Sequence, residues 1–222
     1  MDISDPSDPV LLASYDTAGV CYDILSFDRF LICADGLNGF VIMDVQDTTF
    51  PKKITDGYDL GSVLDVARFD LYLYSASGRD GLFVTDFSDP YIPYTVKALD
   101  PQTVRFESGQ LKAVATFPGY MLTADSAGGI TLFDLENPTI PLELASEPYL
   151  RGDPVKLSYS TGQNVAYVAS QIAGMYIYSI ATEAEPADSV DGVWIGSGAG
   201  PEGLVGIAAE PVSYTHLTLP TN

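Results

Sequence analysis

The segment Ser77-Gly-Arg-Asp-Gly-Leu-Phe-Val-Thr-Asp86-Phe-Ser-Asp-Pro-Tyr-Ile-Pro93 decides the fold, because the chain repeats it. The pattern occurs earlier as Asp35-Gly-Leu-Asn-Gly-Phe-Val-Ile-Met-Asp44-Val-Gln-Asp-Thr-Thr-Phe-Pro51 and later as Asp125-Ser-Ala-Gly-Gly-Ile-Thr-Leu-Phe-Asp134-Leu-Glu-Asn-Pro-Thr-Ile-Pro141. A worn fourth copy spans residues 170–186, and residues 2–9 match only the second half of the unit. The recurrent Asp and its equivalents lie 42, 42, 48 and 45 residues apart, at Asp2, Asp44, Asp86, Asp134 and Ser179. This interval is the length of one propeller blade.

Each unit is predicted to contain four β-strands. Its apolar residues form short β-branched and aromatic runs bounded by Gly, Pro and Asp, and no run keeps a helical period. In the first complete unit these runs are Val20 to Phe27, Phe30 to Ala34, Phe40 to Val45 and Lys52 to Tyr58. We therefore predict an all-β chain: a β-propeller fragment of about four four-stranded antiparallel blades, with partial strands at both ends.

Both ends of the chain depart from whole units. Met1 aligns with Met43, inside a third strand, and residues 203–209 match the inner strand of a fifth unit. Residues 212–222 resemble a translated sequencing adapter rather than natural sequence. We predict propeller repeats over residues 1–211 and an artefactual tail over 212–222, and we expect an arc of this kind to expose blade faces at both ends.

Two recurrent residues are predicted to shape turns. The turn between the second and third strands ends on a glycine, where a tight hairpin needs positive φ; these are Gly39, Gly81, Gly129 and Gly174. An aspartate follows the third strand at Asp44, Asp86 and Asp134, where a short carboxylate accepts backbone N–H bonds within the next turn. Ser179 keeps a hydrogen-bonding side chain there without the charge, which favours a turn role over a ring of metal ligands.

The two cysteines are predicted to be buried free thiols. If Asp28 and Arg29 form a two-residue hairpin turn, residues 24 and 33 face each other. Strand alternation then places Cys21 on the opposite face from Cys33, which disfavours a disulfide.

The charge balance excludes some partners. Thirty acidic residues against 10 basic ones give a net charge of -20, so a polyphosphate backbone would be repelled and nucleic acid is not expected as a partner. No apolar stretch is long enough to span a bilayer, so membrane insertion is not predicted. The single histidine, His216, lies in the suspect tail, so natural His-dependent catalysis and His-ligated metal sites are not expected.

The repeats resemble a known family. The patterns Gly-Phe-Val-Ile-Met-Asp-Val at 39–45, Gly-Leu-Phe-Val-Thr-Asp-Phe-Ser-Asp-Pro at 81–90 and Asp-Ile-Ser-Asp-Pro-Ser-Asp-Pro at 2–9 are similar to LVIVD repeats of bacterial and archaeal β-propellers. The resemblance extends to about residue 195. It implies a surface or secreted protein and does not indicate a ligand.

Three functional hypotheses follow. The favoured one is a non-catalytic binding scaffold for a protein or glycan, because propellers present a wide loop-built face. Its predicted binding loop contains Arg105, Phe106 and Glu107, in an insertion before the third unit, although a neutral surface insertion explains the same residues. The alternative is a propeller enzyme of glycosidase or lyase type, which carboxylates with raised pKa values in the central channel would support. The third is Ca²⁺ binding by loop acids, although no loop has a spaced ligand pattern; no other cofactor is predicted.

Overall fold

The chain forms a four-bladed β-propeller with 16 strands in its described part. The structure is a computed structural model and describes residues 7–57, 60–99, 109–127, 129–147, 152–160, 164–181 and 189–195. Each blade is one antiparallel sheet whose four strands are hydrogen-bonded in chain order. The predicted all-β class and the four four-stranded antiparallel blades are therefore confirmed. The strand predicted at residues 203–209 and the tail predicted at 212–222 lie outside the described residues, and the fragment interpretation stays a prediction.

The strands of the first two blades are short and regular. Blade 1 contains β1 (Asp23–Phe27), β2 (Phe30–Ala34), β3 (Phe40–Asp44) and β4 (Lys52–Gly57). Blade 2 contains β5 (Asp65–Phe69), β6 (Tyr72–Ala76), β7 (Leu82–Asp86) and β8 (Tyr94–Leu99).

The other two blades repeat this order with somewhat longer strands. Blade 3 contains β9 (Leu111–Phe117), β10 (Tyr120–Asp125), β11 (Gly129–Asp134) and β12 (Leu142–Glu147). Blade 4 contains β13 (Pro154–Ser160), β14 (Val165–Ser170), β15 (Gly174–Ala181) and β16 (Ser189–Ile195).

The core lies between consecutive blades. Strand alternation sends one set of apolar side chains towards the next blade and the other set towards the preceding one. Ile32, Phe40 and Ile42 of blade 1 pack with Val66, Leu73 and Phe87 of blade 2. The same arrangement joins blade 2 to blade 3 through Tyr74, Leu82, Met121 and Phe133, and blade 3 to blade 4 through Leu122, Ile130, Val168 and Tyr176.

Turn chemistry fixes the register within each blade. Phe27 pairs with Phe30 and Ile24 pairs with Cys33, so Asp28 and Arg29 form the expected two-residue hairpin turn. Asp28 has a φ of 49°, as such a turn requires. The predicted turn and the pairing of residues 24 and 33 are therefore confirmed.

The prediction of two free thiols is wrong. Cys21 and Cys33 form a disulfide with a Cα–Cα distance of 5.8 Å, and no free cysteine remains. The error came from starting the first strand at Val20, whereas β1 begins at Asp23. Because Cys21 precedes the strand, strand alternation does not govern the direction of its side chain, and it can reach Cys33 on β2.

Candidate functional site

The candidate site lies where the inner strands of the four blades meet. Near the start of each inner strand, one residue opposes an alanine of the second strand. This channel position is occupied by Asp23, Asp65, Ala113 and Lys156, opposite Ala34, Ala76, Ala124 and Ala169. Three charged side chains therefore occupy one structural position in different blades.

The two aspartates each bond the following blade. Asp23 Oδ2 accepts a hydrogen bond from the backbone N–H of Val66 in blade 2 at 3.4 Å. Asp65 Oδ2 accepts one from Val114 N–H in blade 3 at 2.9 Å. Ala113 has no side-chain oxygen and cannot repeat this bond to blade 4. Each carboxylate thus links adjacent inner strands near the central axis.

Lys156 joins the two carboxylates. Its Nζ donates to Asp65 Oδ1 at 2.6 Å and also contacts Asp23 Oδ1. The Asp65 side chain is only 1% exposed and that of Asp23 is 15% exposed, whereas half of the Lys156 side chain reaches solvent. The ammonium therefore closes the carboxylate pair from the open side, and it ties blade 4 to blades 1 and 2.

The environment separates the two carboxyl pKa values. Burial raises the pKa of Asp65 from 3.8 to about 7, and its hydrogen bond with Asp23 adds to the rise while Lys156 opposes it. Burial also acts to raise the pKa of Asp23, but hydrogen bonds with Asp65 and Lys156 outweigh it and leave that pKa lowered. Below neutral pH, the pair therefore holds one proton, on Asp65.

The cluster can hold and release this proton, and its solvent access is narrow. Burial acts to lower the pKa of Lys156, but its hydrogen bonds with Asp23 and Asp65 raise it, so the ammonium remains charged. The acid with the raised pKa is the most buried member of the cluster.

The channel cluster was not predicted from the sequence, although the repeat contains a signal for it. A glycine precedes the channel position by four residues in every blade, at Gly19, Gly61, Gly109 and Gly152. An ideal Cβ on Gly61 would lie 1.9 Å from Asp80 Oδ2, and one on Gly109 would lie 1.8 Å from Asp125 Oδ1. These glycines therefore let the connection pack against the neighbouring turn, and counting four residues onward identifies the channel residue.

The turn residues that the sequence singled out lie away from the channel cluster. Each turn aspartate accepts a hydrogen bond at its Oδ1 from the backbone N–H of the residue two positions later. The N–O distances are 2.9 Å for Asp44, 2.8 Å for Asp86 and 2.7 Å for Asp134. The glycines that end the β2–β3 type of turn have positive φ; the values are 77° for Gly39, 85° for Gly81, 80° for Gly129 and 88° for Gly174. These backbone bonds are local to each blade, while Asp44 Oδ2 also forms an ion pair with Arg29 and accepts a hydrogen bond from the hydroxyl of Tyr91 in blade 2.

Two further expectations concern loops and metals. Arg105, Phe106 and Glu107 lie outside the described residues, and their binding role stays a prediction. Within the described ranges, no group of three or more His, Cys, Asp or Glu is placed to hold a metal ion. Nor does the described part of the chain contain a helix long and apolar enough to cross a membrane.

A second surface feature recurs at the β3–β4 type of turn. In blades 1 to 3 an apolar side chain projects from this turn, namely Phe50 (66% exposed), Ile92 (72%) and Ile140 (59%). The backbone N–H of each residue donates to the carbonyl three residues earlier, at 3.1, 3.1 and 3.0 Å. The side chain of that earlier residue, Asp47, Asp89 or Asn137, accepts a second bond from within the turn. The turns are thus held firmly and present their apolar residue to solvent.

Comparison with known proteins supports the repeat and the fold. The LVIVD repeat model matches residues 1–17. The chain is similar to the computationally designed Ika4 protein (TM-score 0.58, 9% identity, 78% of this chain and 99% of that one). It is also similar to the Cps50 (Swd1) β-propeller domain of Myceliophteria thermophila (TM-score 0.55, 14% identity, 73% of this chain and 54% of that one). A third similar structure is the computationally designed Ika8 protein (TM-score 0.54, 11% identity, 72% of this chain and 45% of that one). At these identities the likeness shows the fold alone, and the chain spans about half the length of the latter two. No curated protein matches the sequence.

Proposed function

We propose that this propeller is a non-catalytic scaffold that binds a protein through its β3–β4 turns. The observation that carries the proposal is the repeated, rigid display of Phe50, Ile92 and Ile140 to solvent. A folded chain gains nothing from exposing the same apolar position in three blades, whereas a partner that buries them gains about 1.5–3 kcal/mol for each side chain. Two of these three side chains, Ile92 and Ile140, are aliphatic and fit an apolar protein surface better than a sugar, which stacks on aromatic rings.

An extracytoplasmic location is part of this proposal. The LVIVD repeat model matches residues 1–17, and the resemblance to such repeats is what implies a surface or secreted protein. The Cys21–Cys33 disulfide supports the same location, because disulfides persist in oxidising compartments.

A carboxylate-dependent enzyme is the second candidate, and the channel cluster favours it. Asp23 and Asp65 are adjacent carboxyl groups whose pKa values are shifted in opposite directions, which is the pattern of an acid and base pair. The contacts weigh against this role. Each carboxylate has one oxygen bonded to a backbone N–H and the other bonded to Lys156, so every carboxylate oxygen already has a partner within the protein.

One set of variants tests both candidates. Peptides selected from a displayed library on the wild-type chain are measured against Ile92→Ser/Ile140→Ser and against a matched control, Leu37→Ser/Ile172→Ser. The control changes two apolar residues that are 88% and 82% exposed in turns of the β2–β3 type. We expect peptides to bind the control as they bind the wild type, and to bind the turn variant at least roughly tenfold more weakly.

Two results would overturn the proposal. The first is a set of selected peptides that bind the turn variant with wild-type affinity. The second is turnover of chromogenic glycosides or of uronate polymers by the wild-type chain that Asp65→Asn abolishes, since that result assigns the chemistry to the channel.

A further inference from the structure

The turns of the β1–β2 and β3–β4 types lie at the same end of each blade, because the strands are antiparallel and follow chain order. We call this end of the propeller the turn end. Neighbouring blades touch there: the ring of Tyr91, in the β7–β8 turn of blade 2, meets Phe30 of blade 1 edge-on at 6.0 Å between centroids. The Pro138 carbonyl, in the β11–β12 turn of blade 3, accepts a hydrogen bond from the Tyr74 hydroxyl of blade 2 at 2.8 Å. The turns that display the three exposed apolar residues therefore lie side by side on one surface.

The turn end is strongly acidic. Within the described chain, its turns and the strand residues that border them contain eight acidic residues and two basic ones. The acidic residues are Asp28, Asp44, Asp47, Asp70, Asp86, Asp89, Asp134 and Glu136, and the basic ones are Arg29 and Lys52. The apolar side chains thus project from a surface that carries a surplus of six negative charges.

Both basic residues already face a carboxylate of the same end. Arg29 forms an ion pair with Asp44 at 2.8 Å. Hydrogen bonds with Thr49 lower the pKa of Asp47, and the charge of Lys52 adds to this effect. The positive charges of the turn end are therefore matched within the chain, whereas the surplus of carboxylates is left for a partner to match.

We propose that the partner of the turn end is a protein segment in which Lys or Arg residues flank apolar ones. This inference rests on the proposed function, because it takes the exposed apolar side chains of the turns as the centre of the contact. A contact with an apolar centre and a charged rim is the usual arrangement of a protein interface. Opposite charges across such a rim speed association and disfavour partners of the wrong sign, so an acidic segment would be repelled.

The turns themselves supply a substitution that changes charge alone. Asn137 holds the position in blade 3 that Asp47 and Asp89 hold in blades 1 and 2. Its Oδ1 accepts a hydrogen bond from the Thr139 backbone N–H at 3.2 Å, as Asp47 Oδ1 and Asp89 Oδ1 accept theirs at 3.0 and 2.9 Å. Asp47→Asn/Asp89→Asn is therefore expected to keep the turns and their apolar residues in place while it removes two negative charges.

Peptides selected from a displayed library on the full wild-type chain are the probe. We expect them to combine apolar residues with a net positive charge, and to bind Asp47→Asn/Asp89→Asn about fivefold more weakly than the wild type. Asp16→Asn/Asp80→Asn is the control, because it has the same net charge but changes two exposed acids outside the turn end. Its affinity is expected to stay within roughly twofold of the wild type. At about 1 M salt, where the screening length is about 3 Å, the difference between the variants is expected to disappear.

The contrary results distinguish this inference from the proposed function. Peptides that lose affinity for Ile92→Ser/Ile140→Ser, but carry no positive charge and bind Asp47→Asn/Asp89→Asn as they bind the wild type, overturn the cationic partner and leave the apolar contact standing. Peptides that bind Ile92→Ser/Ile140→Ser with wild-type affinity overturn both proposals. A salt titration on the wild type needs no substitution, and an affinity that does not fall as salt rises also overturns the cationic partner.

Discussion

Replacing Asp65 by Asn tests the protonation state of the channel cluster. The asparagine side-chain oxygen can still accept the Val114 N–H bond, but the group can no longer ionise. In the wild type, the pKa of Asp65 is about 7 in the folded chain, against an ordinary value of 3.8. Between these values the folded state holds a proton that the unfolded state has lost, so stability falls as pH rises.

The magnitude follows from the width of that window. Each pH unit over which the two states differ by one proton changes the free energy of unfolding by about 1.4 kcal/mol. From about pH 5 to about pH 7, Asp65 is therefore expected to lower wild-type stability by roughly 3 kcal/mol. The lowered pKa of Asp23 adds stability above 3.8 that is lost only at more acidic pH. The raised pKa of Lys156 adds stability that is lost only above 10.5, so neither group changes the slope in this window.

Urea unfolding followed by circular dichroism measures the difference directly. Between about pH 5 and about pH 7, we expect the free energy of unfolding to fall by roughly 3 kcal/mol less in Asp65→Asn than in the wild type. Asp47→Asn is the control, because hydrogen bonds with Thr49 lower the pKa of Asp47 and it titrates below the window. Parallel profiles for wild type and Asp65→Asn would refute the reasoning, because they would mean that Lys156 keeps Asp65 ionised throughout.

Three further substitutions test packing, backbone and crosslink. Leu82→Ala removes a fully buried side chain between blades 2 and 3, and chemical denaturation is expected to show a loss of about 3–5 kcal/mol. Gly61→Ala, where a new Cβ meets a carboxylate, is expected to lower the melting temperature more than Gly119→Ala, where φ is +82° but no atom lies within 4 Å. Cys21→Ser opens a crosslink between residues 12 apart and is expected to cost about 3 kcal/mol; the wild type, denatured without reductant, is expected to show no free thiol.

The fold was predictable because the same strand and turn pattern occurs several times in the chain. Four copies of one pattern average out the local ambiguity of each, and in the first blade the predicted and observed strands agree within one residue except at the start of β1. A shift of three residues, from Val20 to Asp23, reversed the inference about Cys21, because the direction of a side chain depends on where alternation begins.

The channel cluster was harder to predict because its residues share a position but not a type. An alignment of the repeats detects positions where the same residue type recurs. The channel position holds two aspartates, an alanine and a lysine, so the alignment does not detect it. Lys156 lies 133 residues from Asp23 and 91 from Asp65, so only closure of the blades around the axis brings them together. Interval counting can locate the position in each blade, whereas the contact itself comes from the three-dimensional arrangement.

The differences at this position have a physical reason. An aspartate there bonds the next inner strand, as Asp23 and Asp65 do, so a perfectly regular repeat would place a carboxylate in every blade. Such groups converge on one axis, where burial and mutual repulsion would make the charged state costly. Ala113 removes one carboxylate, Lys156 supplies a cation, and the proton on Asp65 neutralises most of what remains below neutral pH. Departure from the repeat at Ala113 and Lys156 is therefore what allows the carboxylate links between blades 1, 2 and 3 to exist together.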